Sequence, residues 1–214
     1  MRTSIRLMTA VTAALCLFSP LLPQKTAADA RAVLVYEESG NLETSGEKLR
    51  EQIRDTYKKA KKASRVKSFK GKCGKYVNRQ LVVLGINRSY IGCNGNRAFD
   101  VYKNKTETSG GYTVTAYPAK QYSLKEALEA IAKADPHARN ILVGFEKGTS
   151  KAGRRYGHVL FIHGIENGTV YFSDSYAQTV NGKRYKEGEP IACSIDTFAQ
   201  CYKKYKLDGV IHFG

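Results

Sequence analysis

The sequence predicts an α+β fold in which a short helix packs on a small antiparallel β-sheet. Three observations carry that expectation. Apolar residues at helical spacing fall mainly in the first two thirds of the chain, within residues 45–63, 73–84 and 124–134. Short β-rich runs crowd the last third, at 141–145, 158–165, 169–173 and 210–213. Glu166-Asn167-Gly168 between two of those runs is hairpin chemistry, so they pair antiparallel. Helices first and antiparallel strands later make α+β.

In order, the chain opens with Arg2 and Arg6 before a mostly apolar run from Leu7 to Leu22. Ala28-Asp29-Ala30 then offers a small-x-small cleavage site, so residues 1–30, with Cys16 inside them, read as a secretory signal peptide. Residues 31–68 read as a basic helical segment, with a short strand at 32–36 and then a helix over 45–63. Thr44 and Glu47 have the spacing of a capping box at its start. Leu49, Ile53, Tyr57 and Ala60 form a narrow apolar stripe along it, and Lys58, Lys59, Lys61 and Lys62 gather at its end, where the helix dipole favours cations. Residues 69–214 form one domain, since no internal repeat or low-complexity linker divides them. Within it a helix starts at Cys73 and stops at Gly85, and residues 86–122 are loops with a strand near 113–116. Ser123 and Glu126 cap a helix that Asp135-Pro136 ends, and residues 196–205 read as a further short helix.

The charge narrows the partners. The 214-residue chain carries +16, and removing residues 1–30 takes Arg2, Arg6, Lys25 and Asp29 with it and leaves +14. Such a surface is drawn to polyanions. No aromatic-and-basic nucleic-acid module is visible, so the expected partner is an anionic cell-wall polymer or membrane surface rather than nucleic acid. No later stretch reaches the roughly 18 apolar residues of a membrane span, so no stable membrane insertion is expected. Cys73, Cys93, Cys193 and Cys201 remain in the mature chain, and an oxidising compartment permits disulfides among them. A Cys73–Cys93 bridge would occupy Cys73, whereas Cys193–Cys201 would leave it free. No C-x-x-C pair suggests zinc.

The chemistry gathers around Cys73. A thiol in the first turn of a helix sits where unpaired N–H groups and the macrodipole favour negative charge. Lys67, Lys70, Lys72, Lys75 and Arg79 lie within six residues of it and favour the thiolate further. A buried structural thiol is the competing reading. A nucleophilic thiol needs a base, and His158 at the mouth of an apolar strand is better placed than His137, His163 or His212. Gly157 before it lets a substrate approach. The base wants an orienting group, and the next strand offers Asp174 between Ser173 and Ser175. A three-residue loop at 166–168 pairs Ile165 with Thr169 and Leu160 with Asp174. Asp174 then lies diagonally beside His158, and both serines face the other way. A two-residue Asn-Gly turn slips the register by one and hands the role to Ser173 or Ser175.

Cys73-Gly-Lys-Tyr76-Val77-Asn78, Leu81, Gly95-Asn96 and the Gly157-His158-Val159 strand together resemble the CHAP amidase/peptidase family, over about residues 69–177. These are papain-like cysteine hydrolases related to NlpC-type peptidoglycan peptidases. The resemblance implies a papain-like fold, with Cys73 as nucleophile, His158 as general base and then acid, and Asp174 as orienter. It implies no metal and no cofactor. Two features depart from the family: Lys72 stands where Gln or Asn often precedes the Cys, and the chain has no Trp, so Phe99 or Tyr102 is the candidate to replace the usual one. The expected function is hydrolysis of amide bonds in peptidoglycan by a secreted, wall-associated enzyme. A secreted protease of protein substrates and a non-catalytic basic wall-binding module on the same scaffold are the alternatives.

Overall fold

The computed structural model describes residues 27–87, 98–149 and 155–214, with side chains from Ser45 onward except at 147, 149, 155 and 156. Residues 1–26 of the expected signal peptide, Cys93 and Gly95-Asn96 lie outside the described residues. The chain divides into two units, 1–38 and 39–214.

What is described of the first unit is helical backbone, the opening of α1 (Ala27–Ser64). The strand expected at 32–36 is therefore helix. A lone five-residue strand leaves its N–H and C=O groups without a ladder, whereas a helix satisfies them within the segment. Thr44 and Glu47 likewise lie inside the helix and do not begin it. Glu47 instead meets Arg50 and Arg54 at 4.0 and 3.5 Å.

The second unit is α+β. After the rest of α1 come α2 (Cys73–Val83), α3 (Ala98–Tyr102), β1 (Val114–Pro118), α4 (Leu124–Ala134), β2 (Arg139–Thr149) and β3 (Arg155–Glu166). Then follow β4 (Thr169–Ser173), β5 (Gln178–Val180), β6 (Lys183–Tyr185), β7 (Ile191–Ser194), α5 (Ile195–Tyr202) and β8 (Lys206–Phe213). Six strands form one antiparallel sheet in the order β1-β8-β2-β3-β4-β7, and β5 and β6 make a separate hairpin. The expected α+β class and every expected β-rich run are present. Helix α3 and strands β5 to β7 were not expected, since Ala98–Tyr102 is barely more than a turn and the three strands are only 3 to 4 residues long.

Strand alternation splits the core in two. Ile141, Val143, Leu160, Ile162, Val170, Phe172 and Val210 pack with Leu128 and Ile131 of α4 and Phe198 and Tyr202 of α5. Leu142, Val159, Phe161, Ile211 and Phe213 pack with Val77 and Leu81 of α2 and Phe99 and Tyr102 of α3. Phe99 and Tyr102, the candidates to replace a missing Trp, are thus core residues under the sheet. Each buried aromatic or aliphatic side chain here contributes about 1.5–3 kcal/mol, which is what holds the helices to the sheet.

Local signals set the helix ends. Ser123 and Glu126 form the expected capping box on α4, with bonds of 3.3 and 2.8 Å. Helix α2 ends in a Schellman motif: Ile86 N–H donates to Leu81 C=O at 2.9 Å and Gly85 N–H to Val82 C=O at 3.2 Å. Gly85 has φ +74°, and a Cβ there would meet nothing within 4 Å. Gly85→Ala is therefore a purely backbone perturbation. It is expected to lower unfolding free energy by about 1–2 kcal/mol, read as a lower urea midpoint at unchanged slope.

Candidate active site

Two devices bring Cys73 to its position. Phe69 stacks on Tyr76 at 4.8 Å and meets Tyr57 edge-on at 6.3 Å, which fixes the residues between α1 and α2. The Glu187 carboxylate then accepts from Tyr57 OH at 3.1 Å, from Phe69 N–H at 2.5 Å and from the Ser68 hydroxyl. Gly71 at φ +73° and the Lys72 N–H to Phe69 C=O bond of 2.7 Å turn the chain into the helix. Lys72 occupies the N-cap and no side chain caps the helix, so the positive end of α2 is presented at Cys73. One turn on, Tyr76 OH shares a buried 2.7 Å bond with Ser173 Oγ, tying α2 to β4.

His158 and Asp174 meet as expected, through a register that differs from the expected one. Glu166 pairs with Thr169, so the turn has two residues, Asn167 at φ +47° and Gly168 at φ +80°. That would have moved Asp174 away from His158. A bulge restores the register: Gly164 pairs with Tyr171 but Ile162 pairs with Phe172, which leaves His163 extra on β3. Phe161 then faces Ser173, and the next step places Leu160 opposite Asp174. His158 Nε2 lies 3.0 Å from Asp174 Oδ2, both side chains almost wholly buried. The other ring nitrogen is left for Cys73, whose thiol hydrogen-bonds to His158.

Asp174 is more heavily engaged than a diagonal neighbour needs. Its Oδ2 also accepts from Gln178 Nε2 at 2.8 Å and Tyr202 OH at 2.7 Å. Its Oδ1 accepts from Tyr176 N–H at 3.1 Å and Ser175 Oγ at 3.3 Å. Ser175 therefore touches the carboxylate rather than facing away, because β4 ends at Ser173 and strand alternation no longer applies. Phe145, Tyr202, Tyr205 and Tyr176 surround the imidazole, with ring centroids 5.5 to 6.4 Å from it. Gly157 serves this packing too: a Cβ there would collide with the Phe145 carbonyl of β2.

The electrostatics favour an ion pair. Burial pushes the Cys73 thiol up, but the His158 hydrogen bond and charge, with the Val159 and Gly74 N–H groups, outweigh it and hold the thiol below its ordinary value. Burial pulls His158 down, yet the bonds to Asp174 and Cys73 raise it to about 9. Burial raises Asp174, and the His158, Tyr202 and Gln178 donors more than reverse that. The arrangement therefore favours a thiolate beside an imidazolium, with a nucleophile and a proton donor side by side.

The other histidines are engaged elsewhere. His137 bonds Glu166 at 2.5 Å, a carboxylate shared with Ser45 and Arg139. His163 is fully buried against Gln80 at 2.9 Å, on the face opposite to His158, and burial lowers it to about 3. Burial likewise lowers His212, which bonds the Arg139 backbone. Cys73, Cys193 and Cys201 are free thiols, so a Cys193–Cys201 bridge is absent. Tyr202, Gln178, Tyr176 and Glu187 escaped the sequence reading. Gln178, four residues beyond Asp174, carried the only local hint. Among the described residues, no cluster of His, Cys, Asp and Glu has the arrangement of a metal site, and no helix is long and apolar enough to cross a membrane.

Iodoacetamide should alkylate Cys73 with a pH midpoint below the roughly 8.5 of an ordinary thiol. His158→Ala should move that midpoint upward, since the hydrogen bond and the charge that lower it are both lost. Peptide mass mapping of the labelled residue checks the result, and an equal midpoint in both proteins would contradict the ion pair. Comparison of the chain with protein-family models, with curated proteins and with solved structures returns no match.

Proposed function

We propose that the chain is a secreted, papain-like cysteine hydrolase of the CHAP type that cleaves amide bonds in peptidoglycan. The observation that carries this reading is the hydrogen-bonded chain from Cys73 at a helix N-terminus through His158 to buried Asp174. Its order along the sequence, helix-borne Cys, strand-borne His, then a polar residue at the end of the next strand, matches the CHAP resemblance. Arg2 and Arg6 before the apolar run to Leu22 support export.

The chemistry follows from the geometry. The Cys73 thiolate attacks the amide carbonyl carbon, and the carbonyl electron pair moves onto oxygen. The Cys73 N–H, at the uncapped end of α2, is available to that oxygen. The C–N bond breaks as the His158 imidazolium gives its proton to the leaving amine. Water then adds to the thioester, His158 takes one of its protons, and the carboxylic acid leaves, giving its own proton to solvent, with the thiolate–imidazolium pair regenerated. Asp174 keeps the ring oriented and stabilises its charged form throughout.

Substrate class rests on charge. Lys67, Lys70 and Lys72 are exposed on the approach to Cys73, and Lys58, Lys59, Lys62 and Arg65 are exposed on and just beyond the end of α1. Such a rim concentrates anionic polymers near the nucleophile, and screening by salt should weaken it.

Purified peptidoglycan should release new amino groups on digestion, with casein left intact. Cys73→Ser should abolish the release and Asp174→Asn should reduce it about 10²–10⁴-fold. Wall binding by Cys73→Ser should fall as salt rises. Cys73-dependent cleavage of casein with intact wall would make the protein a protease of protein substrates. Salt-sensitive wall binding without cleavage of either would make it a binding module.

A further inference from the structure

Tyr176 stands at the lip of this site. It is 37% exposed, the one large apolar side chain in that class among the described residues, yet three contacts hold it. Its N–H donates to Asp174 Oδ1 at 3.1 Å. Its ring meets the His158 imidazole edge-on, centroids 5.5 Å apart at 65°. Its phenol oxygen accepts a hydrogen bond from Gly71 N–H, two residues before Cys73. A Cβ on Gly71 would meet nothing within 4 Å, so the space beside that residue is open. A phenol oxygen that accepts from a backbone N–H still carries its own proton to donate. Rotation about the C–O bond directs that proton without moving the ring.

We propose that the Tyr176 hydroxyl is a second donor to the substrate carbonyl oxygen as Cys73 attacks, working beside the Cys73 N–H. The ring lies against the imidazole and the hydroxyl reaches the Gly71 N–H, two residues before the nucleophile, so the phenol stands beside both the base and the start of α2. Burial first, and then the Cys73 and Asp174 charges, raise the phenol, so it keeps its proton while the thiolate is present. Lys72, the residue before Cys73, is exposed and offers only a mobile, solvated cation. Tyr176 supplies a neutral, anchored donor.

The inference rests on the cysteine-hydrolase reading, and one pair of reagents separates the two. A dipeptide aldehyde adds to Cys73: sulfur bonds the carbonyl carbon, the π pair goes to oxygen, and the proton of the thiol–imidazole pair neutralises it. Iodoacetamide forms an S–C bond and expels iodide, with no oxyanion. The aldehyde's Kd is read from its protection of Cys73 against iodoacetamide, in wild type and in Tyr176→Phe. The substitution keeps the ring on His158 and removes only the hydroxyl. Aldehyde affinity should fall about 10²-fold, with the alkylation rate and its pH midpoint unchanged. Equal affinity in both proteins would overturn the role of Tyr176 and leave the hydrolase reading standing. A parallel loss of alkylation would also overturn it, because the hydroxyl would then act on the thiolate. A wild-type Cys73 that the aldehyde does not protect would remove the hydrolase reading itself.

Discussion

The buried Asp174 carboxylate is the point on which the rest of the site depends. A carboxylate out of water is costly unless donors replace its hydration. Here His158, Gln178, Tyr202, Ser175 and the Tyr176 N–H all converge on it. Those donors come from β3, the segment after β4, β5 and α5, so one charge gathers four parts of the domain. Removing the whole carboxyl group leaves several buried donors without a partner. For that reason an isosteric amide separates orientation from folding better than an alanine does.

A second carboxylate does the corresponding work for the nucleophile. Glu187, on the segment between β6 and β7, holds Tyr57 of α1 and the Ser68-Phe69 backbone together. The later part of α1 is thereby built into the second unit through its buried stripe of Leu49, Ile53 and Ala60, and is not only a cationic appendage. The pH behaviour follows from the signs of the shifts. The raised pKa of His158 contributes stability that is complete below its ordinary 6.5 and lost as pH rises through about 9. The depressed pKa of Asp174 contributes stability that is present above its ordinary 3.8 and lost as pH falls through the folded value. The His158–Asp174 pair is therefore most secure between those limits.

Much of this was legible in the residues. Helix α2 announced itself through Tyr76, Val77 and Leu81 at helical spacing and a glycine stop, and α4 through a complete capping box. The three site residues were named from chain order and local chemistry, and the structure brings all three together. The hairpin register was legible only in part. The expected three-residue loop is a two-residue Asn-Gly turn, and nothing local marks His163 as the extra residue of a bulge. That choice is made by the packing of Phe161 and Phe172 on opposite faces. The two deviations cancel, so Asp174 reaches His158 through a different ladder. Tyr202 and Glu187 lie 28 residues from Asp174 and 118 from Phe69 along the chain, and no periodicity reports such meetings. The missed strand-to-helix change at 32–36 has the opposite cause: a local β pattern with no neighbouring strand to complete it.

The central claim is a thiolate–imidazolium pair oriented by a buried carboxylate, and its most direct measure is the protonation of His158 itself. Nitrogen-15 chemical shifts of the His158 ring should show both nitrogens protonated at pH 7, with titration near 9. In Cys73→Ala the same ring should lose its proton at lower pH, because the thiolate's bond and charge are gone. A His158 that is neutral at pH 7 in the wild-type protein, or that titrates alike with and without the Cys73 sulfur, would contradict the account.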